Sequence, residues 1–169
     1  MRRVRPNWAR HPRRGVVVVV TGRVLVAGTG QGPLLRLSAP ISFWGGVDPL
    51  SGRIADPRHP DHGRSIAGTV LAVPSAVGSS SSSAIMLELL RNGVAPAAVL
   101  MGTSDAILAL GVVVGRELGY ASIPVLQVPM VDLDNLESGV AVRVDADGCV
   151  REVEPPFEPP PPAPHSRDE

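Results

Sequence analysis

The sequence predicts a single α/β domain, a mixed sheet with two main crossover helices, and three observations predict it. Valine-rich runs alternate with alanine- and leucine-rich runs, the pattern of strands mixed with helices. The centre of the chain reads strand–helix–strand–helix–strand, which implies right-handed crossovers and a partly parallel sheet. At 169 residues the chain is long enough for one domain and too short for two comfortable ones.

Taken in order, residues 1–15 are basic, contain Pro6 and Pro12, lack periodicity and read as a disordered tail. Residues 15–21 and 23–27 read as strands, or as one bent hairpin, and 28–32 (G-T-G-Q-G) as a loop. Short strands are expected at 34–38 and 41–44. The stretch 47–63 is long, polar and rich in Asp, Pro and His; structureless loops of this length inside compact domains are uncommon and often functional. Residues 69–74 (T-V-L-A-V-P) form a buried strand, 78–83 a turn, and 83–91 a helix stopped by Asn92-Gly93. A strand at 97–101 leads to a helix at 105–118, with Ser104 or Asp105 as N-cap and Gly119 as C-cap. A strand at 125–128 and a hairpin of 140–145 with 150–153 across Asp147-Gly148 complete the mixed sheet with antiparallel pairs. The proline-rich residues 155–169 cannot join a sheet and read as a second disordered tail, leaving 16–154 as the folded domain.

Composition bounds the function. Apolar residues make up 44% and aromatics only 3%, so the core is built from Val, Leu, Ile and Ala. Sixteen basic and 16 acidic residues balance to zero, and nothing global favours nucleic acid or an anionic membrane. Arg2, Arg3, Arg5, Arg10, Arg13 and Arg14 crowd the N-terminal tail, where such charge is usually solvated. Cys149 is the single cysteine, so no intrachain disulfide is possible, and one thiol cannot hold zinc or an iron–sulfur cluster. That usage fits a reducing cytosol. The apolar run at 16–20 is too short for a signal segment, and no stretch reaches the roughly 18 apolar residues of a membrane helix.

Three segments carry chemistry. The first is P-S-A-V-G-S-S-S-S-S, residues 74–83, between a buried strand and an apolar helix. Backbone N–H groups, hydroxyls and the positive end of the helix dipole meet there, an arrangement suited to a carboxylate or phosphate. A flexible linker is the alternative, and its lack of a spacer on either side argues against that. The second is the loop G-G-V-D-P-L-S-G-R-I-A-D-P-R-H-P-D-H-G, residues 45–63, with Asp48, Asp56, His59, Asp61 and His62. Its spacing fits no closed zinc pattern, and turn chemistry at Asp48-Pro49 and Ser51-Gly52 explains much of it. The third is Gly102-Thr103-Ser104-Asp105, again between strand and helix, where Asp105 reads as an N-cap or as part of a site at the same sheet edge. G-T-G-Q-G lacks dinucleotide spacing, no G-x-S-x-G elbow is present, and the four histidines supply no evident triad.

Together, residues 45–83 and the following L-E-L-L-R-N-G-V-A-P-A-A-V-L resemble the aconitase X swivel domain, also described as the phosphomevalonate dehydratase small-subunit family; the likeness spans roughly residues 22–130. The resemblance implies a swivelling β/β/α domain paired with a large catalytic subunit that carries a cysteine-ligated iron–sulfur cluster. It implies dehydration of a hydroxy acid, with the cluster's open iron acting as Lewis acid on the leaving hydroxyl. The small subunit would supply a serine base. In aconitases that serine follows the glycine of a G-S-S-R segment, which maps it to Ser79 after Gly78. Ser81 replaces the arginine, so an arginine clamp does not carry over. Gly78, Ser80, Ser81, Asp48 and His59 are the candidate substrate contacts, with no metal ligand in this chain. A serine hydroxyl is a poor base unless donors and positive potential stabilise its alkoxide. Family substrates are cis-3-hydroxy-L-proline, toward which an Arg-, Ala- and Pro-rich composition leans as a bacterial feature, and mevalonate 5-phosphate. The readings from other classes are a non-catalytic anion-binding module and a scaffold marked by the proline-rich tail.

Overall fold

The computed structural model describes residues 18–78 and 80–154. Residues 70–73 show how it is organised: all four are fully buried, and they alternate between two separate cores, Val70 and Ala72 in one, Leu71 and Val73 in the other. A strand with apolar residues on both faces must lie between two layers. That strand, β6 (Val70–Ser75), sits in the middle of an eight-stranded sheet with β1 (Val18–Thr21), β2 (Arg23–Val26), β3 (Gly30–Arg36), β7 (Ala98–Thr103), β8 (Val125–Gln127), β9 (Ala141–Val144) and β10 (Cys149–Glu152). Between β3 and β6 in the chain, β4 (Val47–Asp48) and β5 (Arg53–Ile54) form a separate two-stranded ribbon.

The strand order is β1-β10-β9-β3-β6-β7-β8-β2. The two end strands are consecutive in the chain with only Gly22 between them, so the sheet closes on itself. β1 pairs with β10 and β2 with β8, both antiparallel, and the Gly22 amide donates to the Gly148 carbonyl at 2.9 Å. The two segments are one bent strand crossing between layers, which rules out the hairpin alternative. The chain thereby joins the two ends of the strand order, with β1 and β2 each paired to one neighbour. β3, β6, β7 and β8 run parallel to their neighbours in that group, and the remaining pairs are antiparallel.

The parallel crossovers are α1 (Ser81–Arg91) and α2 (Ala106–Glu117), which cover the outer face of the β6–β7–β8 layer. α1 turns Ile85, Met86, Leu89 and Leu90 into that core, and each such side chain contributes roughly 1.5–3 kcal/mol when fully buried. α1 and α2 pack closely because Gly111 has no side chain: a Cβ there would stand 2.5 Å from the Ser83 carbonyl oxygen. A short helix, α3 (Met130–Asp134), closes the second core through Leu133. The result is the mixed β/β/α layering that the resemblance implies.

Several local expectations shift. Residues 30–32, read as loop, belong to β3 and pair with β9, and the Ala97 and Gly68 carbonyls lie so close to Gly30 and Gly32 that a Cβ there would clash. Residues 41–44 contribute only a bridge at Ile41 instead of a strand. Within 47–63 the short β4–β5 ribbon and its turns replace a structureless loop. α3 has too few residues for a readable period. The expected tails, 1–15 and 155–169, lie outside the described residues, as do residues 15–17 of the expected first strand.

Candidate active site

β6 and β7 are parallel neighbours, with Ser75 opposite Thr103, so both crossover helices begin at one edge of the sheet. This edge, beyond the strand C-termini, is where open α/β sheets place their sites. The two helix starts differ. At α2, Asp105 is an extended N-cap whose carboxylate accepts from the Ile107 amide at 2.8 Å and the Leu108 amide at 3.2 Å. At α1 the N-cap is Ser80, which makes no side-chain capping bond, and no acid lies in the first turn. The Ser83 hydroxyl turns away from the role of cap and donates to the Ser80 carbonyl at 2.8 Å. The helix therefore begins two residues before residue 83, where the sequence predicts its start, and Ser82 and Ser83 lie inside it.

Gly78 precedes this start with φ +135°, a conformation that favours glycine, and a Cβ there would lie 3.3 Å from the Ser42 hydroxyl. Gly78 and Ser80 are exposed, Ser81 is half-buried and Ser82 is buried beneath them. Ser79 lies outside the described residues. Beside the junction, Val77 donates its amide to the Ile41 carbonyl at 2.9 Å while its side chain is exposed, as is that of Trp44, whose carbonyl accepts from Ser42 Oγ at 3.0 Å.

The two loop candidates separate from one another. His59 is buried, and both ring nitrogens are engaged: Nδ1 accepts from the Asp61 amide at 3.0 Å, and Nε2 faces the Ala39 carbonyl at 3.3 Å. Asp48 accepts from the Leu50 amide at 3.1 Å and from the Ser51 hydroxyl. The hydroxyl bond, followed by the amide bond, holds the Asp48 carboxyl below its ordinary range. The neighbouring Pro49 carbonyl accepts from Asn92 Nδ2 at 2.9 Å, at the C-terminal end of α1. Eleven helical residues, about 16 Å, separate that end from Ser80. Asp48 thus sits at the far end of the helix and not with the serine run.

Asp61, which belongs to the loop but not to the candidate substrate contacts, is the carboxylate that the structure buries. Burial pushes its carboxyl up, yet the Ser38 amide, the Arg64 guanidinium and the Ser38 hydroxyl together hold it below its ordinary value. Its only sequence signal was an acid in the proline-stiffened loop.

The chemistry of a cluster-bound iron does not fit the donors of this chain. Cys149 is half-buried in the β9–β10 hairpin, with Sγ 3.9 Å from Thr21 Oγ1. Among the described residues no group of three His, Cys, Asp or Glu stands together as a metal site. Two surface hollows of about 300 and 210 Å³, one beside Leu136 and Glu152 and one beside Gln31 and Arg143, share no residue with the serine junction. Also among the described residues, no helix is long and apolar enough to cross a membrane.

Fold and junction define a closed β/β/α domain that presents a serine-rich helix start, without an acidic cap, at the open end of its parallel strands. A sequence model of the aconitase X swivel domain matches residues 19–152, and the chain belongs to that family. It is 46% identical over 107 residues to a cis-3-hydroxy-L-proline dehydratase of Pseudomonas aeruginosa, covering 63% of this chain and 18% of that protein. It is 42% identical over 126 residues to the phosphomevalonate dehydratase small subunit of Methanothermobacter thermautotrophicus, covering 74% of this chain and 92% of that one. The crystal structure of Thermococcus kodakaraensis aconitase X in its holo form superposes with a TM-score of 0.70 at 37% identity, over 80% of this chain and 98% of that chain. The chain thus spans less than a fifth of the bacterial relative and nearly the whole of the archaeal one.

Proposed function

We propose that the chain is the small, swivelling subunit of an aconitase-X-type hydro-lyase in the cytoplasm, and that it dehydrates a hydroxy acid together with a large subunit holding the iron–sulfur cluster. The observation that carries this reading is the contrast at the sheet edge: α1 starts at serines without an acidic cap, in a chain of this family. When bound by the large subunit, the cluster would supply the Lewis acid for the leaving hydroxyl. Ser79 would take the proton, as the family's serine base. Gly78 would let the chain turn there, and Ser80 and Ser81 would face the substrate's anionic group, aided by the helix dipole. Asp48 and His59 would shape the loop, in keeping with the hydrogen bonds they already make. Trp44 and Val77, exposed beside the junction, would meet the large subunit.

The substrate favoured by the 46% identity to the bacterial relative is cis-3-hydroxy-L-proline. Mevalonate 5-phosphate is the second reading, supported by the 92% coverage of the archaeal small subunit, a separate chain of similar extent. The test is co-expression with the large subunit and assay on both substrates, with Ser79→Ala beside the wild type. Loss of about a hundredfold or more in kcat is the size expected for removing a general base. Near-normal turnover by Ser79→Ala would overturn the assignment of the base, and no turnover of either substrate would overturn the activity.

A further inference from the structure

A buried polar cluster lies beneath the loop and ends, by hydrogen bonds, on two residues of the segment that leads to the serine junction. Asp61 Oδ2 accepts from both the amide and the hydroxyl of Ser38, at 3.0 and 2.9 Å, while Oδ1 accepts from Arg64 Nη1 at 2.8 Å. Because His59 Nδ1 accepts the Asp61 amide, Nε2 bears the ring hydrogen, which points the donor at Ala39. Asp61 is 8% exposed, and a carboxylate so buried persists only where donors replace its water. A carboxylate is the side chain suited here, since it accepts two donors from one residue on one oxygen and a guanidinium on the other.

Ser38 and Ala39 are coupled to the junction in three steps. Pro40 follows them, and its ring fixes φ, so their orientation carries into Ile41. The Ile41 amide donates to the Ser75 carbonyl at 3.2 Å, and its carbonyl accepts from Val77, a parallel bridge centred on Ala76. Ser42 then places its hydroxyl beside Gly78, where a Cβ on the glycine would stand 3.3 Å from it.

We infer that Asp61 is a positioning residue: by clamping Ser38 it holds Ile41 and Ser42 against Val77 and Gly78, and so fixes the approach to the first turn of α1. The inference rests on the reading of this junction as part of the active site. The link itself is read without activity, from the Val77 amide, whose acceptor is Ile41.

The experiment uses the full chain in complex with its large subunit, as wild type, Asp61→Ala, Asp61→Asn and Ser38→Ala. Amide hydrogen exchange is followed in peptides covering residues 75–84, with the β9–β10 hairpin as internal reference, alongside steady-state kinetics. In Asp61→Ala the Val77 amide is expected to exchange about tenfold faster or more, with the hairpin unchanged. kcat is expected to fall about tenfold while KM stays within about twofold, and Asp61→Asn, which keeps an acceptor for Ser38, recovers part of both. Ser38→Ala, the gentler change, shifts the same amide by a smaller factor and keeps the inference testable should Asp61→Ala fail to assemble. Faster exchange confined to residues 38–42 and 56–64, with Val77 unchanged, overturns the link. Faster exchange at Val77 with kcat and KM unchanged overturns the positioning role. An active Ser79→Ala complex would instead overturn the active-site reading and leave the exchange result standing.

Discussion

The two strand-to-helix junctions at the open end of the sheet are built alike and finished differently. β6 runs into α1 and β7 into α2, side by side and in register. Asp105 closes α2 with its own carboxylate, which neutralises the positive end of the helix and satisfies two of its amides. α1 has only serines at its start and no acid in its first turn. The difference teaches that a helix N-terminus serves either its own stability or a ligand's charge. In this domain the two starts differ: α2 is finished by the chain's own carboxylate, whereas α1, under the proposed function, would be left for an anion.

Four changes break or sharpen that contrast. The largest effect is expected from Ser79→Ala, through the loss in kcat described above, against which the equivalent change on the other side, Ser104→Ala, should leave turnover within about twofold. Next, Ser80→Asp would put an acid at the α1 junction, on a helical backbone that offers the dipole effect without the extended cap geometry of Asp105. The new carboxylate should raise KM by about tenfold or more, since like charges within a few ångströms repel by kilocalories at a partly buried site. It should also stabilise the small subunit by about 0.3–1 kcal/mol through the helix dipole alone, read from its denaturation midpoint. Third, Gly111→Ala would drive a methyl group into the Ser83 carbonyl, 2.5 Å away, and force α2 off the first turn of α1. A loss of about 1–3 kcal/mol is expected, measured by urea unfolding. Fourth, Asp105→Ala should cost about 1 kcal/mol of stability by the same measurement while sparing turnover, since its role is the cap.

A smaller expectation concerns pH. The Asp61 carboxyl is held below its ordinary value of 3.8. Its contribution to stability is therefore complete above that value and is lost as pH falls through the lower folded value. Unfolding midpoints measured from pH 6 down to pH 3 should fall at the acid end, and more shallowly in Asp61→Asn. An identical slope in the two proteins would place the acid sensitivity elsewhere.

Much of this was legible in the chain. The alternation of Val70, Leu71, Ala72 and Val73 between two cores needs only a buried apolar run, which is how 69–74 reads as a strand. Asp105 reads as a cap because a short acid before an apolar period has few other uses. The helix start was misplaced because five consecutive serines offer five equivalent caps, and only the backbone at Ser80 chooses among them. The loop acids could not be ranked, because Asp48 and Asp61 look alike in a proline-rich stretch. Packing sends one to the far end of α1 and buries the other against Ser38.

By itself the sequence determined that this is a mixed α/β domain of the aconitase X swivel family with a serine run between strand and helix. Those features are local: period, turn residues and a long contiguous motif. Tertiary structure decided what depends on distant backbones meeting. The bend at Gly22 closes the sheet, because β1 and β2 find their partners in different layers. Asp61 meets Ser38, and Ile41 meets Ser75 and Val77, contacts between distant segments that no spacing rule contains. The contrast between the two helix starts also needed the fold, since β6 and β7 become neighbours only when the crossovers pack.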